Sequence, residues 1–293
     1  MSAERDPLVS VVLRCRNSES TLPRQLDALA RQAWAGAWEL LLVDNGSTDA
    51  SVEVARSYAD RLPLRILSAT ERAGGAYGLN VGVHAARAPA ALFCDSDDEV
   101  GDGWLATMSE ALRTHDLVAC RHDVEALNPR WLRGSREPAF AEALPRLAFP
   151  PYLPHATSSA MGVARRVFDE LGGFDETVAA LHDTDFAVRA GLAGYTIHFV
   201  PDAVVRYRYR ASPAGIFDQA RAYAQDMALL QRRYVPAGAP VPGRRTWLVE
   251  GWKPVLRALP RAGTRAGRAR LAWLLGWQAG RYAGSVRYRV LAV

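Results

Sequence analysis

The sequence has little cysteine, almost no lysine and no long hydrophobic run. Its three cysteines include no Cys-x-x-Cys pair, which argues against a disulfide framework, metal ligation by thiolates or redox chemistry. We expect all three to be buried as small hydrophobes: Cys15, Cys94 and Cys120. No window approaches the roughly 20 apolar residues of a membrane-spanning helix. Residues 1–7 lack the apolar stretch of a signal peptide, so we expect a cytoplasmic protein.

Positive charge is carried almost entirely by arginine, because Lys253 is the single lysine, and the net charge is +5. Residues 261–293 hold seven arginines and no acidic residue. An ordinary basic surface is one interpretation of this segment. Contact with anionic lipid headgroups, or with an anionic acceptor molecule, is the alternative.

Strand-like and helix-like segments alternate over the first hundred residues. Four short apolar runs are typical of buried parallel strands: 8–13, 39–43, 64–67 and 90–94. This alternation predicts an α/β fold with a mostly parallel twisted sheet flanked by helices. Ligands bind beyond the carboxyl ends of such strands. The residues that follow three of the runs are polar, and we expect a site there: 14–17, 44–47 and 95–99.

The last quarter of the chain is predicted to be helical. Residues 216–234 place apolar side chains at a spacing of 3.6 residues. Before them, Pro201 is predicted to separate two extended segments, 195–200 and 203–209. We therefore divide the chain into an α/β domain and a helical C-terminal extension: 1–210 and 211–293.

A second C-terminal helix is predicted over 270–282, after a Pro/Gly-rich linker at 235–245. It carries Trp273 and Trp277 one turn apart within an apolar stripe. Arginines flank the stripe: Arg270 and Arg281. One hypothesis is a docking surface, within a homodimer or against the inner face of the membrane. The simpler alternative is packing on the protein's own core.

An acidic cluster follows the run at 90–94, with Asp95, Asp97, Asp98 and Glu99 inside five residues. Such a cluster is unfavourable unless positive charge lies close by. Carboxylates without a neighbouring His or Cys suit Mg²⁺ or Mn²⁺. Such a cation would neutralise a leaving diphosphate. A solvated acidic turn is the alternative.

Two further motifs combine a structural and a chemical interpretation. In Asp-Asn-Gly-Ser-Thr-Asp at 44–49, Asn-Gly favours a turn and Ser47 can cap the next helix, whereas Asp44 could accept a hydrogen bond from a nucleotide base. In His-Asp-Thr-Asp-Phe at 182–186, a carboxylate at a helix N-terminus is favoured by the helix dipole. That effect suits both a cap and a general base at Asp183. Asp185 lies about 200° further around the helix and cannot point into the same site.

The order of these motifs resembles that of the family-2 glycosyltransferases, which are inverting enzymes with the GT-A fold. The resemblance spans residues 9–210. It implies a nucleotide-sugar site formed by seven residues: Arg14, Asn17, Glu19, Asp44, Asn80, Asp95 and Ser96. It implies an acceptor side formed by four others: Gly173, Phe174, His182 and Asp185. The metal ligands it implies are Asp97 and Asp95, and the catalytic base is Asp183.

The resemblance also implies partners and a cofactor. These are Mn²⁺ or Mg²⁺ and a nucleoside-diphosphate sugar, with a UDP sugar expected first and dTDP or GDP sugars as alternatives. An acceptor hydroxyl of unknown identity and no nucleic acid are expected.

The sequence departs from the family pattern at four positions. Arg14 stands in place of Pro, Leu79 in place of Arg, and His182 in place of Glu. Tyr207 replaces a His that completes the metal shell in many members. The resemblance then leaves two alternatives: a metal held by one or two Asp side chains, diphosphate and water, or arginines of 206–210 that partly replace the metal as a diphosphate clamp.

Two other functions stay open from the sequence. A non-catalytic nucleotide-sugar-binding protein of the same descent would keep the fold without transferring a sugar. A sugar nucleotidyltransferase is disfavoured, because residues 14–17 are not the Gly-rich phosphate loop of such enzymes.

Overall fold

The computed structural model describes residues 6–236 and 244–292. Its eight strands are β1 (Val9–Cys15), β2 (Trp38–Asp44), β3 (Leu64–Ser68), β4 (Ala90–Asp95), β5 (Glu99–Val100), β6 (Leu117–Asp123), β7 (Met161–Ala164) and β8 (Ile197–Arg206). Its α-helices are α1 (Leu22–Ala30), α2 (Ser51–Arg56), α3 (Gly75–Ala85), α4 (Trp104–Ala111), α5 (Arg130–Arg133), α6 (Arg165–Glu170), α7 (His182–Leu192), α8 (Pro213–Tyr234), α9 (Arg244–Ala258) and α10 (Arg265–Tyr288).

The strands form one mixed sheet in the order β3-β2-β1-β4-β7-β6-β8-β5. The adjacent strands β3, β2, β1 and β4 all run parallel, and β6 is parallel to β8. Strand β7 runs antiparallel between β4 and β6, and β5 runs antiparallel to β8 at the edge. The predicted α/β class, with a sheet flanked by helices and a helical C-terminal part, is confirmed.

The sheet is buried on both faces, which explains the uninterrupted apolar runs of its central strands. In β2, Leu40 and Leu42 face one apolar core, while Leu41 and Val43 face the other. Each fully buried leucine contributes about 1.5–3 kcal/mol relative to an exposed one. Cys15 and the other two cysteines are buried and free, as predicted.

Strand β8 corrects the prediction of two extended segments separated by Pro201. It continues through the proline, and its register against β6 shifts there, so that Cys120 pairs with Val200 but Arg121 pairs with Val204. The bulge leaves Pro201 outside the ladder, where its missing N–H group costs no hydrogen bond.

The C-terminal helices pack mainly on each other. Glycines of α10 lie directly against α8: Gly276, Gly280 and Gly284. A Cβ atom at Gly280 would lie 2.1 Å from the carbonyl oxygen of Arg221, so the two backbones approach closely because these residues have no side chain. The predicted helix at 270–282 is thus longer, and residues 237–243 of the predicted linker lie outside the described residues, as do residues 1–5.

The basic flank of the predicted docking stripe is partly internal. Arg281 is buried, with its guanidinium 4.4 Å from the centre of the Trp247 ring and its Nη2 donating to the Trp247 carbonyl oxygen. Arg281 is therefore not placed to meet a lipid headgroup. Within residues 6–236 and 244–292, no helix is both long and apolar enough to cross a membrane. Docking within a homodimer or on a membrane stays a prediction.

Candidate active site

Three carboxylates meet where β4 ends. Oxygen atoms of Asp95, Asp97 and Asp98 all lie within 4.8 Å of one another. The buried Gln25 holds this turn, because its Nε2 donates to the Asp95 carbonyl oxygen at 3.1 Å and its Oε1 accepts the Val100 N–H at 2.9 Å. The sequence predicted Asp95 and Asp97 as metal ligands, and the structure places the Asp98 carboxylate beside them as a third candidate.

Burial makes this cluster electrostatically costly. Desolvation first, and then the charge of Asp95, raises the pKa of Asp97. Burial raises the pKa of Asp98 well above its ordinary value, and the charges of Asp97 and Asp95 add to the effect. Among the described residues, Asp98 Oδ2 is buried with no hydrogen-bond partner. A hard divalent cation fits these residues, because it would satisfy that oxygen and offset the repulsion.

Arginines surround the cluster. Arg14 Nη2 lies 3.2 Å from Asp95 Oδ1, and Arg210 Nη1 lies 3.5 Å from Asp97 Oδ2. The charge of Asp95 is the largest cause that raises the pKa of Arg14. Arg208 supports the turn, because its backbone N–H donates to Asp98 Oδ1 at 2.8 Å and its Nε donates to the Asp97 carbonyl oxygen at 2.7 Å. This rim is suited to a diphosphate.

Glu99, the fourth acid of the motif, faces away from the cluster. Its carboxylate pairs with Arg206 across the β5–β8 edge and lies 3.6 Å from both Arg24 and Arg31. Glu99 therefore forms ion pairs at the edge of the sheet, where three arginines offset its charge.

Several residues predicted to bind the nucleotide sugar make hydrogen bonds between the loops at the ends of the strands. Asn17 Oδ1 accepts the Thr48 N–H at 2.8 Å, and Glu19 Oε2 accepts the Ala50 N–H at 2.9 Å. The buried Ser96 hydroxyl bonds to that of Ser18 at 2.7 Å. These contacts tie the turns after β1, β2 and β4 together and occupy the side chains of Asn17, Glu19 and Ser96.

The turn after β2 presents Asp44 at the end of the strand. The half-buried Asp44 carboxylate accepts the Ser47 N–H at 3.0 Å, which orients it. The predicted cap by Ser47 is wrong. Helix α2 starts later, with Ala50 at its N-cap, and Ser47 Oγ accepts the Asn17 N–H instead.

Asn80 and the Gly-Gly-Phe segment, predicted to contact the substrates, are joined to each other by hydrogen bonds. Asn80 Nδ2 donates to the Phe174 carbonyl oxygen, and Asn80 Oδ1 accepts the Phe174 N–H, both at 2.9 Å. Phe174 is 2% exposed and packs against the rings of Phe93 and Phe186. Gly173 adopts φ +71°, and a Cβ there would lie 2.9 Å from Asn80 Oδ1.

Asp183 lies in the first turn of α7 and is 7% exposed. Its Oδ2 accepts the Ser158 N–H at 2.9 Å and its Oδ1 accepts the Thr184 N–H at 2.7 Å. Two backbone donors therefore fix its orientation. The Ser158 contact comes from a distant turn, and no sequence signal indicated it.

His182, the first residue of α7, lies beside Arg14. Burial is the largest cause that lowers the pKa of His182. Its ring lies edge-on to Phe174, and neither ring nitrogen has a hydrogen-bond partner among the described residues. A Cβ at Gly75 would contact both Arg14 Nη1 at 2.8 Å and His182 Cε1 at 3.0 Å, so Arg14 and His182 meet at the N-terminus of α3.

Asp185 points away from Asp183 and towards α8. It is fully buried, with Oδ2 2.8 Å from Arg189 Nε and Oδ1 3.1 Å from Arg233 Nη1. The Tyr234 hydroxyl also donates to Oδ1 at 2.7 Å. Because these contacts enclose the carboxylate, its predicted place on the acceptor side is replaced by a role in joining α7 to α8.

A cavity of about 240 Å³ opens beside Asp183. Aromatic residues from both parts of the chain line it: Phe140, Tyr207, Tyr209, Tyr223, Trp273 and Trp277. The Tyr207 ring stacks on His122 with 4.6 Å between the ring centres, so Tyr207 forms cavity wall. Sequence periodicity assigned Tyr223 to a helix face and could not place it beside Asp183.

The sequence is similar to known glycosyltransferases. The family model described as Glycosyl transferase family 2 matches residues 10–172. A PGL/p-HBAD biosynthesis glycosyltransferase of Mycobacterium bovis is 31% identical over 188 residues, which cover 62% of this chain and 69% of that protein. An uncharacterized glycosyltransferase of Bacillus subtilis, YwdF, is 28% identical over 208 residues, which cover 69% and 74%.

Solved structures show the same fold at low identity. A mannosyltransferase from Pyrobaculum calidifontis in complex with GDP-Man and Mn²⁺ matches with a TM-score of 0.65 at 20% identity, over 96% of this chain and 87% of that one. S. aureus TarS in complex with UDP-GlcNAc matches with a TM-score of 0.52 at 16% identity, over 96% and 92%. The predicted GT-A-like fold is confirmed, and the chain belongs to glycosyltransferase family 2.

Proposed function

We propose that this protein transfers a sugar from a nucleoside-diphosphate sugar to an acceptor hydroxyl, with inversion at the anomeric carbon and with Mn²⁺ or Mg²⁺ as cofactor. The observation that carries the proposal is the cluster of Asp95, Asp97 and Asp98 at the end of β4, bordered by arginines. Carboxylates packed this tightly repel one another, which favours a bound cation, and the arginines provide for an anionic ligand.

The donor site follows from this arrangement. Asp95, Asp97 and Asp98 would hold a divalent cation, which would neutralise charge on the leaving diphosphate. Arg14 and Arg210 are placed to bind diphosphate oxygens, and Asp44 to accept an N–H group of the base. The structurally similar proteins bind GDP-Man with Mn²⁺, or UDP-GlcNAc. This likeness supports a nucleotide sugar as donor, and a UDP sugar is the first to test.

Asp183 is proposed as the general base. Its carboxylate is held by two backbone N–H groups and borders the cavity where an acceptor would enter. The acceptor oxygen forms a bond to the anomeric carbon as its proton passes to Asp183. The bond from the anomeric carbon to the diphosphate oxygen breaks, and the nucleoside diphosphate leaves on the opposite face. General-base catalysis of this kind contributes roughly 10²–10⁴-fold.

The test is donor turnover by the full chain. UDP, dTDP and GDP sugars are incubated with Mn²⁺ and with a mixture of alcohols and glycosides, and nucleoside diphosphate and products are followed by NMR. We expect release of the nucleoside diphosphate from one donor and a product of inverted anomeric configuration. Binding of a donor without hydrolysis or transfer would instead identify a non-catalytic binding protein. Binding of none would contradict the proposal.

A further inference from the structure

The cavity beside Asp183 has the size and shape for one substituted ring. Its volume is about 240 Å³, and an apolar cavity of about 150 Å³ is enough to hold benzene. Trp273 and Trp277 stack with their ring centres 6.3 Å apart, and Tyr223 meets Trp273 edge to face at 6.3 Å. Flat faces and edges arranged this way favour another aromatic ring over an irregular group.

The polar groups of the wall are largely engaged with the protein. Burial lowers the pKa of His122 to about 3 and that of His155 to about 4, so both are neutral near pH 7. His122 contacts the Ser159 hydroxyl at 3.4 Å, and His155 contacts that of Thr184 at 3.4 Å. A sugar ring would bury several hydroxyl groups here, and each unpaired one is costly.

Arg136 also lines the cavity, and its guanidinium lies against aromatic rings of the wall. Its guanidinium lies 3.9 Å from the centre of the Tyr209 ring and 4.7 Å from that of Trp273. Its Nη1 donates to the Gln219 side chain at 3.0 Å. The cation is therefore held by π faces and one amide, which leaves the wall suited to a ring that can join the same stack.

The C-terminal helices supply much of this wall. The family model ends at residue 172, whereas Tyr223 lies on α8 and Trp273 and Trp277 lie on α10. Asp183 lies at the border of the same cavity, and its charge acts on the buried Tyr223 hydroxyl. Helices that lie beyond the matched residues 10–172 thus face the proposed base.

We propose that this cavity binds the ring of a phenol-type acceptor, with Trp273 and Trp277 of α10 as the residues that select it. The proposal rests on the proposed function. The phenolic O–H gives its proton to Asp183, its oxygen bonds to the anomeric carbon, and the nucleoside diphosphate leaves with the electron pair of the broken bond. The product is an aryl glycoside.

The experiment titrates the full chain with 4-ethylphenol and, separately, with methyl β-glucoside by calorimetry. Three variants are compared with the wild type. Trp277→Ala removes cavity wall, Ala139→Phe fills the cavity from its exposed rim, and Trp252→Ala is a matched control on α9 away from the cavity. Thermal melts check that each variant is folded.

We expect 4-ethylphenol to bind the wild type and Trp252→Ala equally, and methyl β-glucoside to bind at least about tenfold more weakly. Trp277→Ala and Ala139→Phe should each weaken 4-ethylphenol binding by at least about tenfold. Tighter binding of the glucoside, or equal 4-ethylphenol binding by all folded variants, would overturn the inference. A donor titration with Mn²⁺ separates the two proposals, because donor binding that persists without 4-ethylphenol binding refutes this inference alone.

Discussion

Asp183 and Asp185 lie two residues apart, but their changes to asparagine should have different effects. Asp183→Asn should mainly lower turnover, whereas Asp185→Asn should mainly lower stability. Asp183→Asn removes the proposed base but keeps the shape of the side chain. It exchanges one carboxylate oxygen that accepts a backbone N–H for an amide donor, at a cost of about 1 kcal/mol of stability. We expect donor affinity near that of the wild type and turnover reduced at least about 10²-fold.

Asp185→Asn removes a buried charge instead. Breaking a buried ion pair costs about 3–5 kcal/mol. Its partners Arg189 and Arg233 keep 24% and 30% of their side chains exposed, so their charges stay partly hydrated and the lower end applies. A loss of about 3 kcal/mol corresponds to about 6 °C in Tm for a protein of this size. Turnover of the folded fraction should stay close to that of the wild type.

The assay combines urea unfolding, donor calorimetry and turnover at one temperature for both variants. The three measurements together distinguish a loss of catalysis from a loss of folded protein. Near-normal turnover in Asp183→Asn, together with lost turnover in a stable Asp185→Asn, would refute this assignment of roles.

Asn80→Ala should lower the free energy of unfolding by about 1–3 kcal/mol, because the backbone N–H and carbonyl of Phe174 lose their partner. Urea unfolding measures this loss, and donor affinity of the folded protein should be unchanged. Burial lowers the pKa of His122 from 6.5 to about 3, so the unfolded chain binds this proton first and stability falls as pH drops through that range. The contribution of His122 to the slope is at most about 1.4 kcal/mol per pH unit, and His122→Phe should lower the slope in urea titrations between pH 7 and 4 by up to that amount, with the contributions of His155 and His182 remaining. Gly280→Ala places a Cβ 2.1 Å from a carbonyl oxygen of α8 and should cost about 1–3 kcal/mol in thermal melts, whereas Gly263→Ala, with open space around it, should not.

The parts of the fold that depend on local pattern could be predicted. Runs such as 39–43 are uninterrupted and apolar because both faces of their strands are buried, and acids directly after such a run must lie at the edge of the sheet. The place of Asp95 and Asp97 therefore followed from the sequence. The motif at 182–186 likewise placed Asp183 in the first turn of a helix.

The residues whose contacts the sequence did not indicate have partners far away in the chain. Asn80 and Phe174 are 94 positions apart, and nothing local indicates that one amide satisfies the backbone of the other. The motif position alone therefore assigned both residues to substrates. Asp185 has the same explanation, since its partner Arg233 lies 48 positions later on α8.

The aromatic cavity could not be predicted for a related reason. Tyr207 follows β8, Tyr223 lies on α8 and Trp273 lies on α10, and each has an ordinary helical or extended environment in sequence. Their convergence requires the close packing of α8 and α10, which depends on Gly280 and its neighbours. The apolar stripe of α10, for which docking to another surface was one hypothesis, contributes Trp273 and Trp277 to the wall of this cavity.

The claim that a divalent cation at the aspartate cluster holds the donor is tested most directly by calorimetry of UDP sugars with Mn²⁺ and with EDTA. Asp97→Asn is the variant to compare, because it removes the charge of one proposed ligand at a partly exposed position. Asp97 Oδ2 lies 3.5 Å from Arg210 Nη1. We predict that the wild type binds one nucleotide sugar with Mn²⁺ and at least about tenfold more weakly in EDTA, and that Asp97→Asn loses most of this difference. Equal donor affinity with Mn²⁺ and with EDTA would contradict the account.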